Sequence, residues 1–255
     1  MLRELSFPKT PAHFAARYIY KTAPPQEETE AMRLGTLAHR HILEPETCDN
    51  AFHVRPEGMK FTTKDGIAWR DAHADRPILT AEQAADIRGM RESVLAHPIA
   101  RLFIERSLRE QNVFADVCGT RLKARLDLLP AIEPGFKICN ALADLKTCED
   151  ASEFGFSKSI DDYRYDYQAA FYLDVCARVG REFSAWVFIA VEKNPPYLCA
   201  CYNLDPMAIE YGRRLYQRDL TVWRTCMESG NWPGYSPELS FITLPPKRQK
   251  EMENL

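Results

Sequence analysis

Residues 121–129, RLKARLDLL, and residues 143–147, ADLKT, decide how the rest of the chain is read. In the first, Leu122, Ala124, Leu126 and Leu128 alternate with Arg121, Lys123, Arg125 and Asp127, as in a strand with one apolar and one charged face. The second belongs to an extended run, KICNALADLKT, in which Asp144 and Lys146, two residues apart, share a face. Pro130, Pro134 and Gly135 lie between the runs, so a hairpin bringing Asp127 near Asp144 is expected. Upstream, TAEQ (80–83) is a capping box that opens a helix ending at His97-Pro98, and a further helical piece runs from Pro98 to about Leu108. EQNVFADV (110–117) is strand-like. Downstream, residues 161 to about 179 show helical spacing up to Gly180, and FSAWVFIAV (183–191) reads as a central strand covered on both faces. YLCACYNL is another strand, and Asp205-Pro206 starts a long last helix that ends near Gly230.

Nearer the N-terminus, Thr10-Pro11 opens a short helix to about Tyr20, and a second helix from about Glu28 stops before Pro45, with Gly35 and His39 one turn apart. Residues 46–79 lack sustained periodicity and read as an irregular, partly exposed segment; residues 231–255 read as a Pro-rich tail. The order of elements predicts one α/β domain over residues 1–255, with a central mixed β-sheet flanked by helices.

Composition narrows the function classes. With 45% hydrophobic and 11% aromatic residues in 255, the chain has enough apolar mass for a core and is not a low-complexity segment. No apolar run approaches the ~20 residues that span a bilayer, and MLRELSFPKTPAHF lacks a signal-peptide core, so no membrane partner and a cytoplasmic location are expected. The eight cysteines are scattered singly, apart from Cys199 and Cys201, and read as reduced core residues; no second pair completes a zinc or iron–sulfur site. At a net charge of -3, any nucleic-acid site must be local.

The chemistry gathers on Asp127, Asp144 and Lys146. Two carboxylates from neighbouring strands make a hard oxygen site, better suited to magnesium than to zinc. A lysine on the same strand face as Asp144 can orient a water or offset charge on a phosphate. On spacing alone, D-x16-D-x-K is also what a solvated strand edge carries.

Four segments in order, GTLAHRHILEP (35–45), LKARLDLL (122–129), ADLKT (143–147) and YRYDYQAAFY (163–172), resemble the RecE-type exonucleases of phage recombination systems, a branch of the PD-(D/E)XK nuclease superfamily. The resemblance spans nearly the whole chain. It implies a PD-(D/E)XK nuclease-like fold and a Mg²⁺-dependent exonuclease, with Mn²⁺ as a substitute ion. That enzyme digests linear double-stranded DNA 5′ to 3′, leaving 3′ single-stranded overhangs for recombination by strand annealing. It further implies a bacterial or phage-infected host cell, a ring-shaped homo-oligomer (trimer or tetramer) around DNA ends, and a RecT-type single-strand annealing partner. The family's metal set falls on His39, Asp127, Asp144 and the Leu145 backbone carbonyl, with Lys146 as the catalytic lysine. Glu110 stands where related nucleases often carry another acid. His41 competes with His39, but lies about 200° round the helix from it. Tyr163, Tyr165, Gln168 and Tyr172 match the family's aromatic and glutamine motif; Gln168 and Tyr172, one turn apart, can present an amide and a phenol together. Gln168 is counted with Asp127, Asp144 and Lys146 among the catalytic groups, and Lys123, Arg125, Tyr163, Arg164, Tyr165 and Tyr172 are candidate contacts to DNA. A related endonuclease or repair nuclease, or a catalytically silent DNA-binding protein, are the competing readings.

Overall fold

The computed structural model describes residues 2–5, 9–25, 27–44, 51–117, 119–131, 140–245, 248–249 and 251. The turn expected at Pro134 and Gly135, residues 46–50, and Cys48, Cys118 and Cys139 lie outside the described residues. The elements in order are α1 (Pro11–Phe14), α2 (Glu30–Leu43), β1 (His53–Val54), α3 (Lys64–Ala72), β2 (Ile78–Leu79), α4 (Ala81–Ala96), α5 (Pro98–Arg106), β3 (Ser107–Val117), β4 (Thr120–Pro130), β5 (Ala141–Cys148), α6 (Glu153–Tyr163), α7 (Tyr165–Arg178), β6 (Ala185–Glu192), β7 (Cys199–Asn203) and α8 (Pro206–Ser229). Residues 26–216 form one compact unit; residues 1–25 and 217–255 form another.

In the larger unit, five strands pair in the order β3-β4-β5-β6-β7. Within this five-stranded sheet the β5–β6 pair is parallel and the other pairs are antiparallel, so the sheet is mixed, as the alternation of strands and helices predicts. Trp186 to Val191 of β6 are all buried, the mark of a strand covered on both sides. Leu145, Val187, Ile189 and Val191 join Leu37, Ala38, Ile87 and Val94 of α2 and α4 in an aliphatic core. Trp186 and Phe188 belong to an aromatic cluster with Phe156, Tyr165 and Tyr172. The Thr80–Gln83 capping box that starts α4 is present in both directions.

Two expectations are corrected. The segment 46–79 is not irregular throughout: α3 is capped by the Thr63 hydroxyl, which accepts from the Gly66 amide, and β1 pairs with β2 in parallel. Its apolar periodicity is weak because a helix that is mostly exposed buries no continuous stripe. The single helix expected over 161–179 is two helices, α6 and α7, broken at Arg164, whose φ of 57° is left-handed. That residue ends one helix and starts the next, so helical spacing continues across a break it does not reveal.

In the smaller unit, α1 passes into a π-helical turn, Ala15–Ile19. Phe14 is buried there against Trp232 (ring centroids 5.7 Å apart) and Tyr18 (4.9 Å), and the Ala12 amide donates to the Pro233 carbonyl at 3.0 Å. Residues 231–245 contain no helix or strand, and residues 248, 249 and 251 are helical.

Candidate active site

The site forms where β4 and β5 part. Their ladder has a single paired position, Leu128 opposite Ala143, and beyond it the Asp127 carboxylate takes the place of a backbone acceptor: the Leu145 amide donates to Asp127 Oδ2 at 2.9 Å. A strand residue's N–H and C=O leave on the same side, so the Leu145 carbonyl faces this gap as well. Glu110 stands opposite Asp127, between the pairs Arg109–Leu128 and Gln111–Leu126. Its φ of 53° is left-handed, a conformation that costs a non-glycine residue roughly 1 kcal/mol or more and that clusters at functional sites.

His39 on α2 joins the two acids. Its Nε2 lies 2.8 Å from Asp127 Oδ2 and its Nδ1 3.3 Å from Glu110 Oε1. The helix comes close to β5 at Gly35, where an added Cβ would stand 3.4 Å from Thr147 Oγ1, so Gly35 serves approach to a neighbouring strand. His41 is directed elsewhere, its ring 6.1 Å from that of Phe52.

Asp144 and Lys146 form the second half. Lys146 Nζ lies 2.5 Å from Asp144 Oδ2 and donates to Gln168 Oε1 at 3.2 Å, while Gln168 Nε2 donates to Asp144 Oδ1 at 3.0 Å. One amide on α7 thus holds both strand groups, and Tyr165 lays its ring 4.7 Å from the ammonium. Asp144 is 1% exposed and lies beneath an open cleft of about 460 Å³. His39, Glu110, Arg125, Asp127, Leu145, Lys146, Tyr165, Gln168 and Tyr172 all line that cleft.

Burial and charge set the protonation states. Burial, reinforced by the Asp127 carboxylate, pushes Asp144 up to about 7 despite Lys146. Burial favours a neutral His39, but hydrogen bonds to Asp127 and Glu110 outweigh it and raise the imidazole to about 10. Asp127 is held below the ordinary carboxylate range: burial opposes its charge, but the His39 bond and charge, Lys146 and the Leu145 amide prevail. Lys146, although buried, is raised by the Asp144 and Asp127 charges. In the metal-free site at neutral pH, an imidazolium therefore bridges Glu110 and Asp127, as a cation would.

That donor set fits a divalent metal. One ligand atom from each of His39, Glu110 and Asp127 lies within 4.8 Å of the others, and two of the three are hard oxygens.

Of the remaining expected residues, Tyr163, Arg164 and Lys123 do not line the cleft, whereas Arg125 stands at its edge. Tyr163 is exposed and stacks on Tyr165, ring centroids 5.5 Å apart. Arg164 donates to Asp166 at 2.7 Å and lies over the Tyr211 ring, so it is engaged within the helical layer. Lys123 is exposed on β4, and Arg125 is ion-paired with Glu110. Thr36, Arg40 and Thr147 also line the cleft; helical spacing from His39 points to Thr36, whereas Arg40 and Thr147, each one residue from a site residue, are marked by no face-sharing repeat. Among the cysteines, Cys148 and Cys176 are buried and free, and burial pushes their thiols up to about 12 and about 11.

The family described as "PDDEXK-like domain of unknown function (DUF3799)" matches residues 5–245. A crystal structure from Eubacterium rectale, described as "Putative exonuclease", superposes with a TM-score of 0.63 at 10% sequence identity, covering 99% of this chain and 92% of that one. That likeness is one of fold. No curated protein matches the sequence.

Proposed function

The chain belongs to this PDDEXK-like family, and on that premise we propose that it is a divalent-metal-dependent exonuclease that degrades linear double-stranded DNA 5′ to 3′. The observation that carries the reading is the convergence of His39, Glu110, Asp127, Lys146 and Gln168 on one open cleft. Such a cleft admits an extended polyanion.

His39, Glu110 and Asp127 would hold the ion, with Asp144 and the Leu145 carbonyl completing its surroundings. A Mg²⁺ or Mn²⁺ ion there supplies Lewis acidity to a phosphoryl oxygen and acidifies water. Lys146 does the chain's own polar work: its buried ammonium, fixed by Asp144 and Gln168, orients a water and offsets charge developing on the phosphate. Gln168 keeps that ammonium and the Asp144 carboxylate in register, and Tyr165 shields the pair from solvent on one side. Arg125 and Lys123 take backbone phosphates at the rim. The resemblance extends the proposal to a ring-shaped trimer or tetramer and to a RecT-type partner that receives the 3′ overhang.

The test is an end-labelled linear duplex with Mg²⁺, beside closed circular DNA and the Asp144→Ala variant. Loss from the 5′ end of linear DNA only, abolished by the substitution, is the expected result. Cutting of the circle assigns an endonuclease instead, and survival of all DNA under varied metal and pH rejects the nuclease reading. Sedimentation on DNA tests the ring; a monomer removes it.

A further inference from the structure

The hairpin arm of β3 and β4 carries a feature that the cleft does not use. The two strands pair from Ser107–Pro130 out to Val117–Thr120, whereas β4 meets β5 at Leu128 alone. Most of the arm is therefore two-stranded. Its apolar face, with Leu122, Ala124 and Leu126, is buried. Its other face, with Arg121, Lys123 and Arg125 on β4 and Asn112, Phe114 and Asp116 on β3, is exposed. The strand register sets these side by side: Asn112 with Arg125, Phe114 with Lys123, Asp116 with Arg121.

Three properties of this face belong together. First, it begins at the cleft, since Arg125 and Asp127 line the cleft and the next two cations follow at every second residue. At ~3.4 Å per residue they recur about every 7 Å, comparable to the separation of phosphates along one strand, and reach about 20 Å from Asp127. Second, Arg121 and Lys123 have no carboxylate within ion-pair distance among the described residues, unlike Arg125, which Glu110 holds. In a chain of net charge -3, two exposed cations left without acids are available for an external anion. Third, Phe114 is 47% exposed between them, its ring 5.0 Å from the Arg121 guanidinium and 5.7 Å from the Lys123 ammonium.

Charge alone fits any polyanion. The exposed ring is more selective: a duplex keeps its base faces stacked on one another, whereas an unpaired strand offers phosphates to the cations and a base face to the ring. The geometry points to the polar face of the β3–β4 hairpin as a binding track for an unpaired DNA strand adjoining the cleft, with Arg121 and Lys123 on successive phosphates and Phe114 stacking a base. This rests on the nuclease reading and adds to it the kind of strand held beside the site.

The experiment is equilibrium binding in EDTA, where no strand is cut, of a fluorescent oligothymidylate of about 20 nucleotides and of a hairpin duplex. Each is titrated between about 50 and 200 mM KCl against wild type, Arg121→Gln/Lys123→Gln, the swap Arg121→Lys/Lys123→Arg, and Phe114→Ala. The neutral pair is expected to reduce the slope of log K against log[KCl] for the oligothymidylate by about 1.4, two contacts at ~0.7 each, while the swap retains it. Phe114→Ala is expected to weaken oligothymidylate binding about tenfold with the slope unchanged and to leave duplex binding nearly unaltered. All the residues are exposed, so melting temperatures report whether a variant is folded; Phe114→Ala carries the test if the neutral pair is not. Wild type that binds while every folded variant binds with the same slope and affinity overturns the track alone, leaving these cations as solubilising edge charge. Wild type that does not bind the oligothymidylate also overturns the track, and the nuclease reading is then decided separately by the cleavage of end-labelled DNA in Mg²⁺.

Discussion

Replacing Asp144 by asparagine in the metal-free protein should flatten the fall of stability with pH between about 4.5 and 6.5. Burial pushes the Asp144 carboxyl up to about 7 from an ordinary value of 3.8. Between those values the native state holds a proton that the unfolded chain has lost, so stability falls as pH rises through the window and levels off above about 7. About three units at 1.36 kcal/mol each make the full loss about 4 kcal/mol, and about 2 kcal/mol between pH 5 and 6.5. Asp127 is shifted down, so its contribution is lost only in more acid solution and adds no slope here. His39, raised from 6.5 to about 10, is protonated in both states below about 6.5 and stabilises until pH rises through its folded value. Its slope therefore belongs to the window above 6.5, about 1 kcal/mol per unit after allowance for partial exposure. The assay is urea unfolding in EDTA from pH 4.5 to 8.5 for wild type, Asp144→Asn and His39→Gln. The expected pattern is selective: the first variant loses the acid-side slope and keeps the alkaline one, and the second does the reverse. Equal slopes for wild type and Asp144→Asn below pH 6.5 would refute the assignment of that carboxyl as the buried, proton-holding group.

Lys146→Ala should abolish DNA cleavage while Mn²⁺ still binds by calorimetry, because the ammonium is not among the metal donors; full activity in this variant removes its assigned role. Glu110→Gln should weaken Mn²⁺ binding by about 10- to 100-fold, since it removes one of three converging donors, and an unchanged affinity places the ion elsewhere. At Gly212 of α8, an added Cβ would stand 2.3 Å from the Asp166 carbonyl oxygen, so Gly212→Ala should force that helix off α7 and cost about 1–3 kcal/mol in urea unfolding. A neutral result there would mean that the helices separate freely.

Much of the site was legible because it is written at local spacings. The period-two run 121–128 put Asp127 on a polar strand face, and two-residue separation put Asp144 and Lys146 together. Helical spacing put Gln168 and Tyr172 on one side, and both line the cleft. It was less able to place Tyr163 and Arg164. The left-handed residue at 164 reorients the chain between α6 and α7, and nothing in YRYDYQ marks a backbone turn that glycine more often makes. The short helix 64–72 was missed for the opposite reason: its cap was present, but it buries too little to leave a stripe.

The sequence by itself determined the strands of the five-stranded sheet, most of the longer helices and the kinds of group that reach the site, because alternation and helical repeat are set by chain geometry within a few residues. Only the tertiary structure decided which acid stands where. The gap between β4 and β5 lets Asp127 accept the Leu145 amide, the strained backbone at Glu110 presents its carboxylate to His39, and burial leaves Asp144 to Lys146 and Gln168. These are contacts between residues as many as 88 positions apart in sequence. Their protonation follows from desolvation and neighbouring charge, neither of which exists until the sheet and its two helical layers have closed round them.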